Sequence, residues 1–393
     1  MRILHVTWEY PPLVYGGLGR HVYELASAQA EAGHDVAVVT QQVEGAPAES
    51  LMWGVRVLRV ASAPQLEFIP ENLLAWVSAL DHELATGARV ALGDAQPDVV
   101  HCHDWMTTKA GTELTENPVI PLVATIHATE VGRHQGHLPG DISRSVDAIE
   151  RQLCHQANAV ITCSAAMKEE VVRQFSVAAD KVTVIPNGID LEEWSSPLSD
   201  QLDARARWAP DSPLIVFVGR LEVEKGILEL AEAMAQVRQA LPTAHLVIAG
   251  RGSQGELLRN ACESHGITGA VTVAGWLPEQ ELRALIACAD VAAIPSIYEP
   301  FGLVALEAMS LGTPVVASRV GGLADVVRSG ETGWSVPAKD PTALAKALVA
   351  AITDRSAKVI VDRAYEALKR DHDWSQIAEA TVACYRRAGA DDS

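Results

Sequence analysis

Arg220 and Lys225 lie in the glycine-bounded segment 219–226, immediately after an apolar run at 214–218. At a strand end such a pair can grip a diphosphate, the guanidinium as a fork and the ammonium as a point charge. Ion pairs with Glu222 and Glu224 on an exposed turn would account for the same residues, and the spacing is not that of a Walker loop. Two carboxylates follow, Glu299 in a turn and Glu307 in an apolar stretch. The sequence predicts a strand ending near 295 and a helix beginning around Phe301. The N–H groups of Phe301, Gly302 and Leu303 would then be orphan donors at a helix mouth. Glutamates so placed can hold different sugars of one ligand by accepting hydrogen bonds from hydroxyls. A capping charge explains Glu299 as well, but not Glu307, which is flanked by Leu306, Ala308 and Met309; a buried acid needs partners.

A third candidate is the turn 15–21, where Gly16, Gly17 and Gly19 open a helix. Glycine permits close backbone approach, and amides at a helix start attract anions. A phosphate or a sugar hydroxyl fits there, as does a tight turn with no ligand. The nicotinamide fingerprint is absent: Val22 stands where a third glycine belongs, and strand two ends in Thr40-Gln41 without an acid. His101 and His103 share a strand face by period two and, with Asp104, could ligate a metal. A basic pair already supplies phosphate neutralisation, so neither a metal nor another cofactor is expected.

These residues need strand ends to hold them, and the chain supplies a series. β-branched apolar runs at 3–7, 36–40, 55–60, 99–103, 122–127, 159–163 and 182–185 alternate with helix-like segments. Continuous apolar runs suit strands covered on both faces by crossover helices. In the first helix Val22, Leu25, Ala26 and Ala30 share a face and Gly33 stops it. The polar, proline-containing stretch 188–213 reads as a linker, after which runs at 214–218, 244–249, 271–274, 291–294 and 315–317 begin a second series. The expectation is α/β: a first Rossmann-like doubly wound domain at 1–187, a second at 214–373, and a helix at 374–393 free to pack back on the first domain. If the sheets face one another, the carboxyl ends of their strands enclose one cleft.

At 393 residues the chain exceeds one ordinary core, and its formal charge of −19 disfavours nucleic acid or an anionic membrane as partner. Six scattered cysteines show neither disulfide nor zinc spacing. The first strand starts at residue 3 and no apolar run is long enough to span a bilayer, so a cytoplasmic protein without a signal peptide or integral membrane segment is expected.

Taken together, 16–19, 219–226 and the spacing of Glu299 and Glu307 resemble the family-4 retaining glycosyltransferases of GT-B fold over essentially the whole length. Segments 7–12, 101–105 and 125–127 look like the bacterial glycogen synthase branch, and 127–136 like actinobacterial α-1,4-glucan glucosyltransferases. The resemblance implies transfer of glucose from ADP- or UDP-glucose to an α-1,4-glucan or maltooligosaccharide, and leaves room for a homodimer. It implies that Arg220 and Lys225 neutralise the diphosphate, that Glu307 binds the ribose, and that Glu299 with the amides of 301–303 binds the transferred sugar and distal phosphate. Gly16 and Gly17 would approach the phosphates, and Arg251 and Leu277 lie where the family holds the base. His127 would sit beside the sugar, and Asp104 would reach sugar hydroxyls. A single, front-face displacement is implied, with domain closure excluding water, because no carboxylate is placed as a nucleophile. Alternatives are another acceptor (a sugar 1-phosphate, a lipid-linked sugar or an inositol phosphate), a nucleotide-sugar-binding module without turnover, and a sugar nucleotide epimerase.

Overall fold

Short runs of valine, isoleucine and leucine fold into strands buried on both faces, because helices cover each side of a parallel sheet. The computed structural model describes residues 1–61, 70–93, 95–116 and 120–390. Two compact units result, Met1–Gly188 together with Trp374–Ser393, and Ile189–Asp373.

The first unit holds β1 (Arg2–Val6), β2 (Asp35–Gln41), β3 (Glu49–Met52), β4 (Val55–Val60), β5 (Val99–His103), β6 (Leu122–Ile126), β7 (Ala159–Thr162) and β8 (Val182–Val184). They are ordered β3-β4-β2-β1-β5-β6-β7-β8, parallel except at β3–β4. The edge strand β3 escapes a search for apolar runs because its residues alternate between exposed and half-buried. The helix Gly17–Glu31 buries Val22, Leu25 and Ala26 against this sheet. The C-terminal helix Trp374–Ala390 adds Ile377, Val382 and Tyr385 to the same core, beside Ile3, Val38 and Val99. Each such aliphatic burial stabilises by about 1.5–3 kcal/mol, so the last helix is part of the first unit's core.

The second unit holds β9 (Leu214–Val218), β10 (His245–Ala249), β11 (Val271–Gly275), β12 (Val291–Ile294), β13 (Val315–Ser318) and the short edge strand β14 (Trp334–Val336). Their order is β11-β10-β9-β12-β13-β14, all parallel. The stretch 188–213 differs from the irregular linker read in the sequence, for it carries the helix Leu198–Trp208. None of that helix's residues is buried, which hides it from an apolar-periodicity search. Arg205 anchors it instead, donating to the Cys288 and Ser212 carbonyls and to Asp290 Oδ2, each at 2.9 Å.

The strand order reverses at β1/β5 in the first sheet and at β9/β12 in the second. Ligands of open parallel sheets bind beyond the carboxyl ends of the strands at such reversals. The turns after β1 and β5 carry Gly16, Gly17 and Asp104, and those after β9 and β12 carry Arg220, Lys225 and Glu299. Among the described residues no helix is long and apolar enough to cross a membrane.

Candidate active site

In the second unit, the turn after β9 meets the turn after β12 because Gly226 stands between them. Its φ is +67°, and a Cβ there would lie 2.0 Å from the Pro295 carbonyl oxygen. The Glu224 carbonyl then accepts the N–H groups of Ile297 at 2.8 Å and Tyr298 at 3.2 Å. Lys225 Nζ consequently lies 2.8 Å from Glu299 Oε2, with the two side chains only 20% and 14% exposed, and Ser296 donates to the same oxygen at 3.1 Å. Arg220 is placed differently. Its guanidinium is 59% exposed and pairs with Glu224 at 2.9 Å, an arrangement worth at most about 1 kcal/mol. An incoming phosphate can therefore take Arg220 from Glu224 at little cost, whereas Lys225 is already positioned.

Glu307 is buried, 4% exposed, on the helix Leu303–Ser310. That helix starts later than the sequence suggests, since Gly302 caps it at φ +104°. A left-handed residue cannot continue a helix, and a Cβ at Gly302 would sit 2.4 Å from Leu323 Cδ2. The amides of Phe301 and Gly302 thus precede the helix and only Leu303 belongs to it. The Phe301 ring is buried, edge-on to His372. Arg251 and Leu277 follow β10 and β11, in turns tied to the first by bonds from Leu221 N–H to the Arg251 carbonyl and from Gly250 N–H to the Gly275 carbonyl.

In the first unit Gly16 precedes and Gly17 opens the helix after β1. This turn was expected to offer free amides to an anion, but an internal carboxyl group takes up part of it. Glu9 accepts the N–H groups of Tyr15 at 2.6 Å and Gly19 at 2.9 Å, and that of Gly16 as well. Burial pushes the Glu9 carboxyl above its ordinary range, against those donated bonds. Asp104, at φ +60° after β5, likewise faces inward: its Oδ1 accepts the His127 N–H at 2.7 Å. Burial lifts Asp104 to about 6, with Arg133 and the His127 and Ala128 amides opposing. Asp104 and His127 are brought together, as are Lys225 and Glu299.

His127 ends a hydrogen-bonded chain that sequence reasoning missed. His127 Nε2 lies 3.2 Å from His103 Nδ1, His103 Nε2 lies 3.0 Å from His5 Nδ1, and His5 Nε2 lies 2.7 Å from Gln29 Oε1. Gln29 Nε2 donates to the Tyr385 hydroxyl, which lies 2.7 Å from His101 Nδ1, and His101 Nε2 meets Thr125 Oγ1 at 2.7 Å. The Gln29 oxygen accepts, so His5 carries its proton on Nε2; His103 and then His127 must do the same. Burial holds the rings neutral. It pushes His5 down to about 4 against the Gln29 bond, and it pushes His127, with help from Arg133, down to about 3. His21, His101 and His103 are also held well below the ordinary imidazole range by burial. Neutral imidazoles can bind metals, and among the described residues two triads gather their nitrogens within 4.8 Å: His5, His101 and His103, and His21, His103 and His127. Asp104 belongs to neither, so the metal set of His101, His103 and Asp104 is not assembled. The sequence signal for the chain was weak, because His5 and Gln29 look like ordinary members of a strand and a helix.

Residues 15–193 match the Glycosyltransferase Family 4 description, and residues 199–370 match Glycosyl transferases group 1. Across 400 aligned residues the chain is 40% identical to a glycogen synthase of Mycobacterium tuberculosis, spanning 99% of this chain and 95% of that protein. The chain belongs to glycosyltransferase family 4. This glycosyltransferase is also 32% identical to an alpha-maltose-1-phosphate synthase of Mycolicibacterium smegmatis, over 99% of this chain and all of the other (100%). Among solved structures, a sucrose-phosphate synthase from Thermosynechococcus elongatus superposes with a TM-score of 0.84 at 27% identity, covering 99% of each chain. The two sheets of this chain, parallel apart from the edge strand β3, are the two Rossmann-like domains of the GT-B fold. The enzyme is a hexosyltransferase, with a nucleotide-sugar donor and a separate acceptor.

Proposed function

We propose that this enzyme moves glucose from ADP- or UDP-glucose to an α-1,4-glucan or maltooligosaccharide with retention of configuration. The observation that carries the donor half is the Lys225–Glu299 contact of 2.8 Å at the strand reversal of the second unit. Lys225 stabilises the diphosphate as charge grows on it, and a preplaced charge of this kind is usually the largest catalytic contribution. Arg220 leaves Glu224 to join it. Glu299 keeps Lys225 on Oε2 and offers Oε1 to hydroxyls of the transferred sugar, while the N-terminal end of the helix Leu303–Ser310 takes the distal phosphate. Glu307 holds the ribose, and the turns of Arg251 and Leu277 hold the base. His127 stays neutral with its proton on Nε2, which leaves Nδ1 as an acceptor for a sugar hydroxyl; Asp104 fixes its backbone, and Gly16 and Gly17 let the ligand approach closely. The leaving phosphate oxygen takes the acceptor proton as the new glycosidic bond forms on the same face. No metal or other cofactor enters this scheme, and turnover is expected to survive a chelator.

Full-length likeness to a glycogen synthase supports a glucan as acceptor. The 32% likeness to an alpha-maltose-1-phosphate synthase supports a second reading, with a sugar 1-phosphate in that place. An array of ADP-glucose, UDP-glucose and GDP-mannose against maltooligosaccharides, glucose 1-phosphate and no acceptor decides between them, read as released nucleoside diphosphate and as product. Chain extension from a glucose nucleotide is expected. Product formed only on glucose 1-phosphate overturns the glucan reading, and conversion of the donor without any acceptor overturns transfer.

A further inference from the structure

Beside the glycine turn of the first unit lies an open depression of about 310 Å³ that the preceding roles leave unused. Trp8 and Tyr15 form part of its wall, their rings stacked 5.4 Å apart at 11° between planes. Tyr15 is 60% exposed, so its ring offers apolar surface that gains by burial under a ligand. The stack is built in, because Glu9 grips the Tyr15 amide one residue after Trp8. Trp76, from the helix Leu73–Leu92, lines the same depression, with Gln41 at the end of β2 and Gln42 and Glu44 just beyond it.

The chemistry of this lining is specific. Flat aromatic faces attract the slightly positive C–H groups on the apolar face of a pyranose ring. Two of the polar groups are acceptors: Gln42 spends its amide N–H groups on the Val43 and Ala46 carbonyls, leaving its oxygen, and Glu44 is an exposed carboxylate. Acceptors suit the hydroxyl donors of a sugar. None of the described lining residues is basic and one is acidic, which disfavours a phosphate-bearing ligand. Glu9, held within the neighbouring turn, adds to the same bias.

We propose that Trp8, Tyr15 and Trp76 form an acceptor shelf that takes a neutral α-linked glucan, stacking its pyranose faces on the Trp8–Tyr15 pair and pairing its hydroxyls with Gln41, Gln42 and Glu44. This rests on the glucan reading and names the residues that would select a neutral chain over a sugar phosphate.

The test uses the full chain with maltoheptaose as probe, measuring binding by tryptophan fluorescence and transfer by initial rates. Tyr15→Ala changes an exposed ring, so it tests the shelf without endangering the fold; Trp8→Ala and Trp8→Phe extend it. Each alanine variant should weaken maltoheptaose binding and raise its KM about tenfold, the loss of one stacked ring, while the KM for the nucleotide sugar moves less than about twofold. Trp8→Phe should recover most of the loss, and Lys225→Ala should still bind maltoheptaose. If wild type extends maltoheptaose but the alanine variants keep its KM, the shelf is refuted and the glucan reading stands. If wild type binds maltoheptaose in a Tyr15-dependent way yet never extends it, the shelf stands and the glucan reading falls. If wild type neither binds nor extends maltoheptaose, both fall.

Discussion

At the reversal of the first sheet the side chains include a run of buried, uncharged imidazoles closed at one end by Gln29 and Tyr385. At the reversal of the second sheet lie ionic groups, with Arg220 largely in solvent and Lys225 held to Glu299. The same α/β scaffold thus carries two kinds of site. Buried neutral hydrogen bonds are directional and costly to break, so they fix one geometry. Exposed charges are cheap to repartner, so they can exchange an internal carboxylate for an incoming anion. A neutral substrate is best read by the first kind of site and a nucleoside diphosphate by the second.

The contrast is broken most severely at Lys225. Lys225→Ala should lower kcat by roughly two to three orders of magnitude, since one preplaced charge is lost where charge develops. Initial rates of nucleoside diphosphate release measure it, and near-normal turnover would take the residue out of the reaction. Gln29→Leu probes the other side. It leaves the His5 Nε2 proton without its acceptor in a fully buried position, at a cost of about 1–3 kcal/mol. We expect a melting temperature several degrees lower and transfer slowed about tenfold, because the proton position on His127 is no longer dictated. Wild-type melting and rate together would show that the chain of imidazoles positions nothing.

A smaller effect comes from pH. Burial pushes the Glu150 carboxyl up to about 8, outweighing the Glu130 N–H bond and Arg133. Its folded value lies above its unfolded one, so its contribution to stability is full below 4.5 and is lost as pH rises through 8. Glu150→Gln removes that titration while keeping an acceptor for the Glu130 amide. Relative to wild type, the variant should gain on the order of 5 °C in melting temperature between pH 5 and pH 9. A constant gap across that range would show that the first unit does not carry this acid in its neutral form.

Much of this arrangement was readable from local patterns. The apolar runs mark the buried strands, since a strand covered on both faces must be apolar throughout, and the segments carrying Arg220, Lys225, Glu299 and Glu307 are contiguous stretches whose residue types state their chemistry. Less legible were β3, whose half-exposed residues break the pattern, and the helix Leu198–Trp208, which is held by Arg205 and not by an apolar face. The start of the helix at Leu303 was also hidden, because the left-handed Gly302 answers to a distant neighbour, Leu323.

By itself, then, the sequence determined the α/β class, the two tandem sheets and which turns hold the reactive residue types, because periodicity and turn chemistry act between near neighbours. Only the tertiary structure decided that Glu9 fills the glycine turn and that Trp8 stacks on Tyr15. It alone decided that His5, His103 and His127 form one line whose terminal partner Gln29 bonds a tyrosine 356 residues away. Those contacts follow from the register that sets His5 opposite His101 and from the docking of the last helix, and neither is encoded in any short stretch of chain.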